Sequence, residues 1–404
     1  MRICFLTLFT PTSENRGGPT ALPYYLLKYR SSSISIHMLT CNLNDISEKE
    51  LQQIADDLEV TYEVMHIHSW YKLAKRNHQT KIRVLFKYPI FTYVYSKRQV
   101  AKRLEELNPD VIWQYPDTFF EMLDVLPDKI HVVTGPDCSA LTNLRGSLDP
   151  FSWSSAVRFW WNAKQVYSNL LLDRKGVRKN VLYHVVGMED YRYIKRIAPK
   201  KNVFFLLHPH YSLVNSPIVD LHKPKLKVLI AGQMKQQLLL GTGVKDLMDS
   251  LSFLPESLKD RFCFTFLGKG WESYNEQLQM QGYTSEHIKW VEDYVETIAC
   301  FDIQIAPISV GAGTKGKILD AIGNGVLVIG TTYALENIAV RTMHSCVHYR
   351  TANEIPSILL SIANHPDRYE KIARQGVYQV RTYHAPKRIA QRFFGIIEHF
   401  CLDS

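Results

Sequence analysis

Residues 308–330, ISVGAGTKGKILDAIGNGVLVIG, set Gly311, Gly313 and Gly316 in Gly-x-Gly-x-x-Gly spacing between two apolar runs. A glycine loop that feeds a helix lets the backbone approach a ligand and leaves amides at the helix start to meet an anion. Gly313 and Thr314 offer amides, Thr314 adds a hydroxyl, and Lys315 and Lys317 bring two ammonium groups to the first turn. Together these predict a cradle for a diphosphate. Asp320 follows Lys317 by three residues and shares the lysines' helix face, so its carboxylate is placed to accept hydrogen bonds from both hydroxyls of a ribose. A dinucleotide fingerprint fits less well. It requires an acid at the end of the next strand, and here that strand ends VLVIGTT, with Glu336 several residues beyond. The loop is also charged and comes late in the chain.

A second glycine loop, FTPTSENRGGPTALPYYLL at 9–27, puts Gly17 and Gly18 just before a helix expected from Pro19 or Thr20. If the chemistry uses a general base, Asp137, in VVTGPDCSALTNLR, is the first candidate, with His131, His208 and His210 behind it. A lone histidine at a strand start, such as His131, more often serves structure, and His208 and His210 flank Pro209 in an expected linker. No Asp-x-Asp stands at a strand end, and ADDLE at 55–59 reads as a solvated helix end, so no metal site and no cofactor are expected. The seven cysteines are scattered and odd in number, with no metal-ligand spacing, which suits a reducing, cytoplasmic setting. The N-terminal apolar stretch is too short for a signal peptide, and no apolar run approaches the length of a membrane span.

The elements that must hold these groups alternate. Short β-branched or aromatic runs are separated by segments of helical period, the signature of βαβ units and a parallel sheet, so the class is α/β. Strands are predicted at 2–9, 33–41, 60–68, 110–115, 129–135 and 181–187 in the first half. In the second half they are predicted at 225–232, 261–268, 287–292, 302–308, 325–331 and 345–350. A chain of 404 residues exceeds the usual size of one core, so two domains are expected. The boundary is placed near residue 200, before the Pro- and His-rich stretch 208–227, giving domains of 1–200 and 201–385. The helical tail from Pro366 breaks near Ala385-Pro386, and the segment from about 386 to 404 is expected to pack back on the first domain.

A net charge of +9 points to an acidic partner. Lysine and arginine interleave with aromatics at 70–103, and FSWSSAVRFWWNAKQVY at 151–167 adds tryptophan and phenylalanine, a combination suited to an anionic membrane interface. No zinc pattern or aromatic RNA-binding strand accompanies the charge, so nucleic acid is not an expected partner. Nothing in the sequence sets an oligomeric state.

Residues 302–338, DIQIAPISVGAGTKGKILDAIGNGVLVIGTTYALENI, closely resemble the donor-nucleotide segment of GT-B glycosyltransferases of the GT4-like type, in the GxGxK subgroup. Weaker resemblances extend the match in the family's order: VVTGPDCSALTNLR, VVGMEDYRYIKRIAP, KLKVLIAGQM, FTFLGKG and IKWVEDYVETIACFDIQIAP. The resemblance implies a GT-B fold, two Rossmann-like parallel-sheet domains facing each other across a cleft. It implies that Gly313, Thr314, Lys315 and Lys317 contact the diphosphate and Asp320 the ribose. Val291 and Asp293 would lie beside the base, Glu336 near the donor sugar or phosphates, and Gly17, Gly18, Gly232, Lys235 and Gly268 around the donor. Asp137 would stand near the reacting sugar, with Ser139 and Arg145 toward the acceptor. Three departures from the family pattern stand out. Ala312 and Asp320 occupy the places of two glutamates, Gln233 replaces an arginine and leaves Lys235 or Lys245 as the substitute cation, and HPHYS replaces PNG-x-D at the domain junction.

The chemistry so implied is transfer of a sugar from a nucleotide-diphosphate sugar to a glycan or lipid-linked acceptor in cell-surface polysaccharide synthesis. Such transfer is limited by the negative charge growing on the leaving diphosphate, which a metal-independent site must stabilise with lysines, amides and helix ends. The resemblance also implies retention of configuration, with the departing phosphate taking the acceptor proton; Asp137, Lys317 and Glu336 are the catalytic candidates. A non-catalytic nucleotide-binding scaffold and a GT-B nucleotide-sugar epimerase are the alternative readings. The expected place of work is the cytoplasm, at the inner face of a membrane.

Overall fold

The computed structural model describes residues 1–76, 86–135, 137–148, 156–215, 217–234 and 242–403. Lys235, residues 77–85 of the basic stretch and residues 149–155 of the aromatic one lie outside the described residues. Valine, isoleucine and aromatic runs, which fit a pleated and buried surface, form thirteen strands among the described residues. The first seven are β1 Arg2–Thr7, β2 Ser35–Thr40, β3 Thr61–Val64, β4 Val111–Tyr115, β5 Ile130–Gly135, β6 Val181–Val185 and β7 Asn202–Phe205. The others are β8 Leu226–Ala231, β9 Phe262–Leu267, β10 Ser285–Ile288, β11 Ile303–Ala306, β12 Leu327–Gly330 and β13 Val347–His348.

Two sheets result, ordered β3-β2-β1-β4-β5-β6-β7 and β10-β9-β8-β11-β12-β13, with every pairing between these strands parallel. In each sheet the order reverses at one place, between β1 and β4 and between β8 and β11. Crevices outside the carboxyl ends of strands at such reversals are where open α/β sheets take ligands.

The chain divides into two units, one of Met1–Leu144, Trp160–Pro209 and Pro386–Ser404, the other of Arg145–Phe159 and His210–Ala385. The expected boundary near residue 200 comes before β7, whose half-buried NVFF run pairs with β6 and completes the first sheet. The strand expected at 287–292 instead runs Ser285–Ile288, because its register is set by pairing with Phe264–Leu267 of β9.

In the first unit the C-terminal helix Pro386–Asp403 buries Ile389, Phe393, Phe394 and Ile397. Phe393 and Phe394 stand 5.0 and 6.0 Å from the ring of Trp113 on β4, so the helix closes that sheet's core. Each buried phenylalanine is worth about 2 kcal/mol of transfer free energy. Polar side chains share this interior: the indole of Trp113 donates to Thr134 at 2.9 Å, and Thr134 lies 3.3 Å from Nδ1 of His184. Burial lowers the His184 imidazole to about 3. The second unit has one continuous apolar core spanning all its strands and the helices packed on them.

Candidate functional site

The glycine loop leaves β11 at the reversal point of the second sheet and enters the helix Gly316–Gly323. Gly313 takes φ of +69°, a left-handed conformation that a side chain would resist. Lys315 occupies the N-cap position and no side chain caps the helix, so its first-turn amides present a positive end. A Cβ added at Gly316 would meet nothing within 4 Å, which marks open space at the helix start.

The two lysines part company here. Lys315 is buried and turns back, its ammonium donating to the carbonyls of Ala312 and Gly313 at 2.9 Å each and lying 3.5 Å from the Glu336 carboxylate. Arg145 reaches the same carboxylate at 2.7 Å, the Gly311 carbonyl at 2.5 Å and the face of Tyr333 at 4.9 Å. Two cations thus share one carboxylate, leaving a net positive charge against the loop, and both cations fix the loop's own carbonyls. Lys317 is exposed, and its ammonium lies 4.3 Å from the ring centre of Tyr294. Partial burial there lowers the ammonium's pKa, and nearby Asp320 pulls the other way. Thr314 Oγ1 is 3.5 Å from the carbonyl of Asn337.

Asp320 lies one turn along the same helix and accepts from Nε2 of His210 at 3.0 Å. The two are 110 residues apart in sequence, so no local spacing signals the pair. Tyr294, which the sequence reading also missed, brings a buried hydroxyl with no hydrogen-bond partner among the described residues. Asp293 caps the helix Tyr294–Ile298 by accepting from the amide of Glu296 at 2.9 Å, and Val291 packs half-buried against the core.

At the ends of β8 and β9, Gly232 and Gly268 touch backbone to backbone. A Cβ at Gly268 would fall 2.2 Å from the Gly232 carbonyl oxygen, which accepts the indole N–H of the buried Trp271 at 2.7 Å. Gln233 and Lys245 are exposed beside this turn and after it.

In the first unit Gly17 and Gly18 sit in the loop after β1, Gly17 with φ of +73°. That loop is tied by Thr12 and Thr20 hydroxyls at 2.6 Å and by Asn15 Oδ1, which accepts from Ala21 N at 3.0 Å. Asp137 and Ser139 are exposed on either side of buried Cys138, whose amide donates to Asp190 at 3.1 Å. His131 is buried between Gln114 and the carbonyl of Leu126, a structural place rather than a catalytic one. His208 Nδ1 lies 2.8 Å from the carbonyl of Pro209. Among the described residues no three His, Cys, Asp or Glu side chains gather to hold a metal, and no helix is long and apolar enough to cross a membrane.

Residues 249–395 match the model of the glycosyl transferase-like family, a span that includes the glycine loop, Lys317, Asp320 and Glu336. No curated protein matches the chain in sequence. Among solved structures, the chain superposes on Anabaena Alr3699/HepE in complex with UDP with TM-score 0.64 and 12% identity, covering 99% of this chain and 100% of that one. Sucrose-phosphate synthase from Thermosynechococcus elongatus gives TM-score 0.67 at 10% identity with both chains fully covered. The lipopolysaccharide outer core galactosyltransferase WaaB in its apo form gives 0.58 at 13%, covering 99% of each. The parallel sheets, their reversal points and these superpositions give the chain the GT-B fold, and its residues 249–395, which hold the glycine loop, are similar to the glycosyl transferase-like family.

Proposed function

We propose that the chain moves a sugar from a nucleoside-diphosphate sugar to a glycan or lipid-linked acceptor of cell-surface polysaccharide, with retention of configuration and without a metal. The observation that carries this reading is the uncapped start of Gly316–Gly323, with Lys317 exposed beside it and Asp320 one turn on. The helix amides and the Lys317 ammonium stabilise the diphosphate as its negative charge grows, which is the main catalytic demand of the step. Lys315 and Arg145 contribute by fixing the loop and by their net positive charge around Glu336. The bond from the anomeric carbon to the phosphate oxygen breaks as the acceptor oxygen bonds to the same face, and the departing phosphate takes the acceptor proton. Asp137 and Ser139, exposed after β5, attend the acceptor and the reacting sugar.

The Anabaena protein was solved with UDP and with UDP-glucose, which makes uridine diphosphate the first nucleotide to try. Thermal melting of the full chain with UDP, GDP and ADP should rise with one of them. Lys317→Ala should abolish that rise and lower kcat/KM for the matching sugar donor by about a hundredfold. No rise with any nucleotide would instead favour a non-catalytic scaffold.

Peripheral attachment to an anionic membrane completes the reading. The helix Ala156–Asp173 exposes Val157, Trp160 and Tyr167 on its outer face, with Lys164 5.5 Å from the Tyr167 ring centre. Sedimentation with phosphatidylserine vesicles at low salt should pull down the chain, and Trp160→Ser should weaken this about tenfold. Equal sedimentation of the variant would count against this surface.

A further inference from the structure

We infer that His210 is the positioning residue for nucleoside recognition: it fixes one oxygen of Asp320 so that the other meets the ribose, an inference that rests on reading this loop as a nucleoside-diphosphate site. Oδ1 of Asp320 accepts from His210 at 3.0 Å, whereas Oδ2 has no hydrogen-bond partner among the described residues. The Asp320 side chain keeps 20% of its surface exposed and that of His210 only 2%. One oxygen of the carboxylate is therefore occupied from the protein side and the other is left toward solvent, where two vicinal hydroxyls have an acceptor.

The imidazole is locked in place by its surroundings. Its backbone N–H donates to the carbonyl of His384 at 2.8 Å. Gly323 leaves room for the ring, since a Cβ there would fall 2.4 Å from Cε1. Nδ1 is buried without a partner, so a proton there would be a buried N–H with no acceptor; the proton belongs on Nε2, which donates to the carboxylate. Lys317 and Tyr294 lie on the same flank, each within electrostatic reach of Asp320. Two of the family departures thus touch: the shorter carboxylate at 320 is buttressed by the histidine that replaces part of the junction motif.

Calorimetric titration of the full chain with UDP, GDP and ADP, each beside its 2′-deoxy form, tests this. The wild type should bind one ribonucleotide about tenfold more tightly than its deoxy form, the weight of a hydrogen bond to a charged group. His210→Ala and Asp320→Asn should erase that preference, and His210→Gln, which keeps an N–H donor, should retain most of it. His210→Phe fills the ring's space without donating and should also lose the preference, which separates the contact from any packing loss in the alanine variant. A folded His210→Phe that keeps the wild-type preference overturns the inference while leaving the donor site intact. Failure of the wild type to bind any of the six nucleotides overturns the donor-site reading, and the inference with it.

Discussion

The two units solve the same topological problem with different interiors. The second unit packs both faces of its sheet with one continuous apolar core and sets the pairs Lys315–Glu336 and Lys223–Asp302 just outside its strands. The first unit splits its core into three apolar clusters and buries polar groups among them. Lys201, 2% exposed, lies 3.7 Å from the ring centre of Tyr183 and donates to the carbonyl of Asp173 at 2.9 Å. Tyr183 in turn donates to Asp117 at 2.9 Å. Burial lowers the Lys201 ammonium and raises the Asp173 and Asp117 carboxyls; Asp117 raises Asp173 further, the Tyr183 hydrogen bond draws Asp117 down, and the ammonium and the carboxyls draw one another back. The contrast teaches that a parallel sheet tolerates a buried ionic cluster when the charges offset one another, whereas a tight backbone crossing tolerates no added atom at all.

Two substitutions sharpen the contrast. The larger effect is expected at Gly268→Ala, because the new Cβ would meet a backbone carbonyl at 2.2 Å at a φ of +133°. Neither backbone can yield without moving β8 or β9, so a loss of about 4 kcal/mol is expected. Hydrogen exchange should show that loss in the strands of the second unit, and unchanged protection there would contradict it. Lys201→Met should cost the first unit about 3 kcal/mol at pH 8, where the variant leaves buried carboxylates without their cation. The sign with pH follows from the raised carboxyl values. A carboxyl whose folded pKa lies above its unfolded one contributes stability at low pH and loses it as pH rises through the folded value. The deficit of Lys201→Met should therefore shrink as pH falls toward 5, and denaturant melts at the two pH values would test this. A deficit that grows on acidification would mean that the carboxyls are not what the ammonium offsets.

The conformation of the glycine loop was the most legible part of the chain, since it depends on local geometry: a strand, a left-handed glycine and a helix start within about fifteen residues. The strands were also readable, because β-branched and aromatic runs report burial directly; β7 escaped because its NVFF run is short and only half-buried at the sheet edge. The lysines were not equally readable. Spacing placed Lys315 and Lys317 together on a first turn, but only the fold shows that Lys315 turns back to the loop carbonyls and Glu336.

What the sequence determined by itself was the α/β class, the two-sheet organisation and the strand, glycine loop and helix start at 303–323, because period, turn glycines and helix starts are properties of neighbouring residues. Tertiary structure alone decided the partners: His210 on Asp320, Arg145 on Glu336, and Lys201 among its carboxyls. Those pairings join residues 28 to 191 positions apart. Their energies come from desolvation and contact, which exist only once the chain has brought them together.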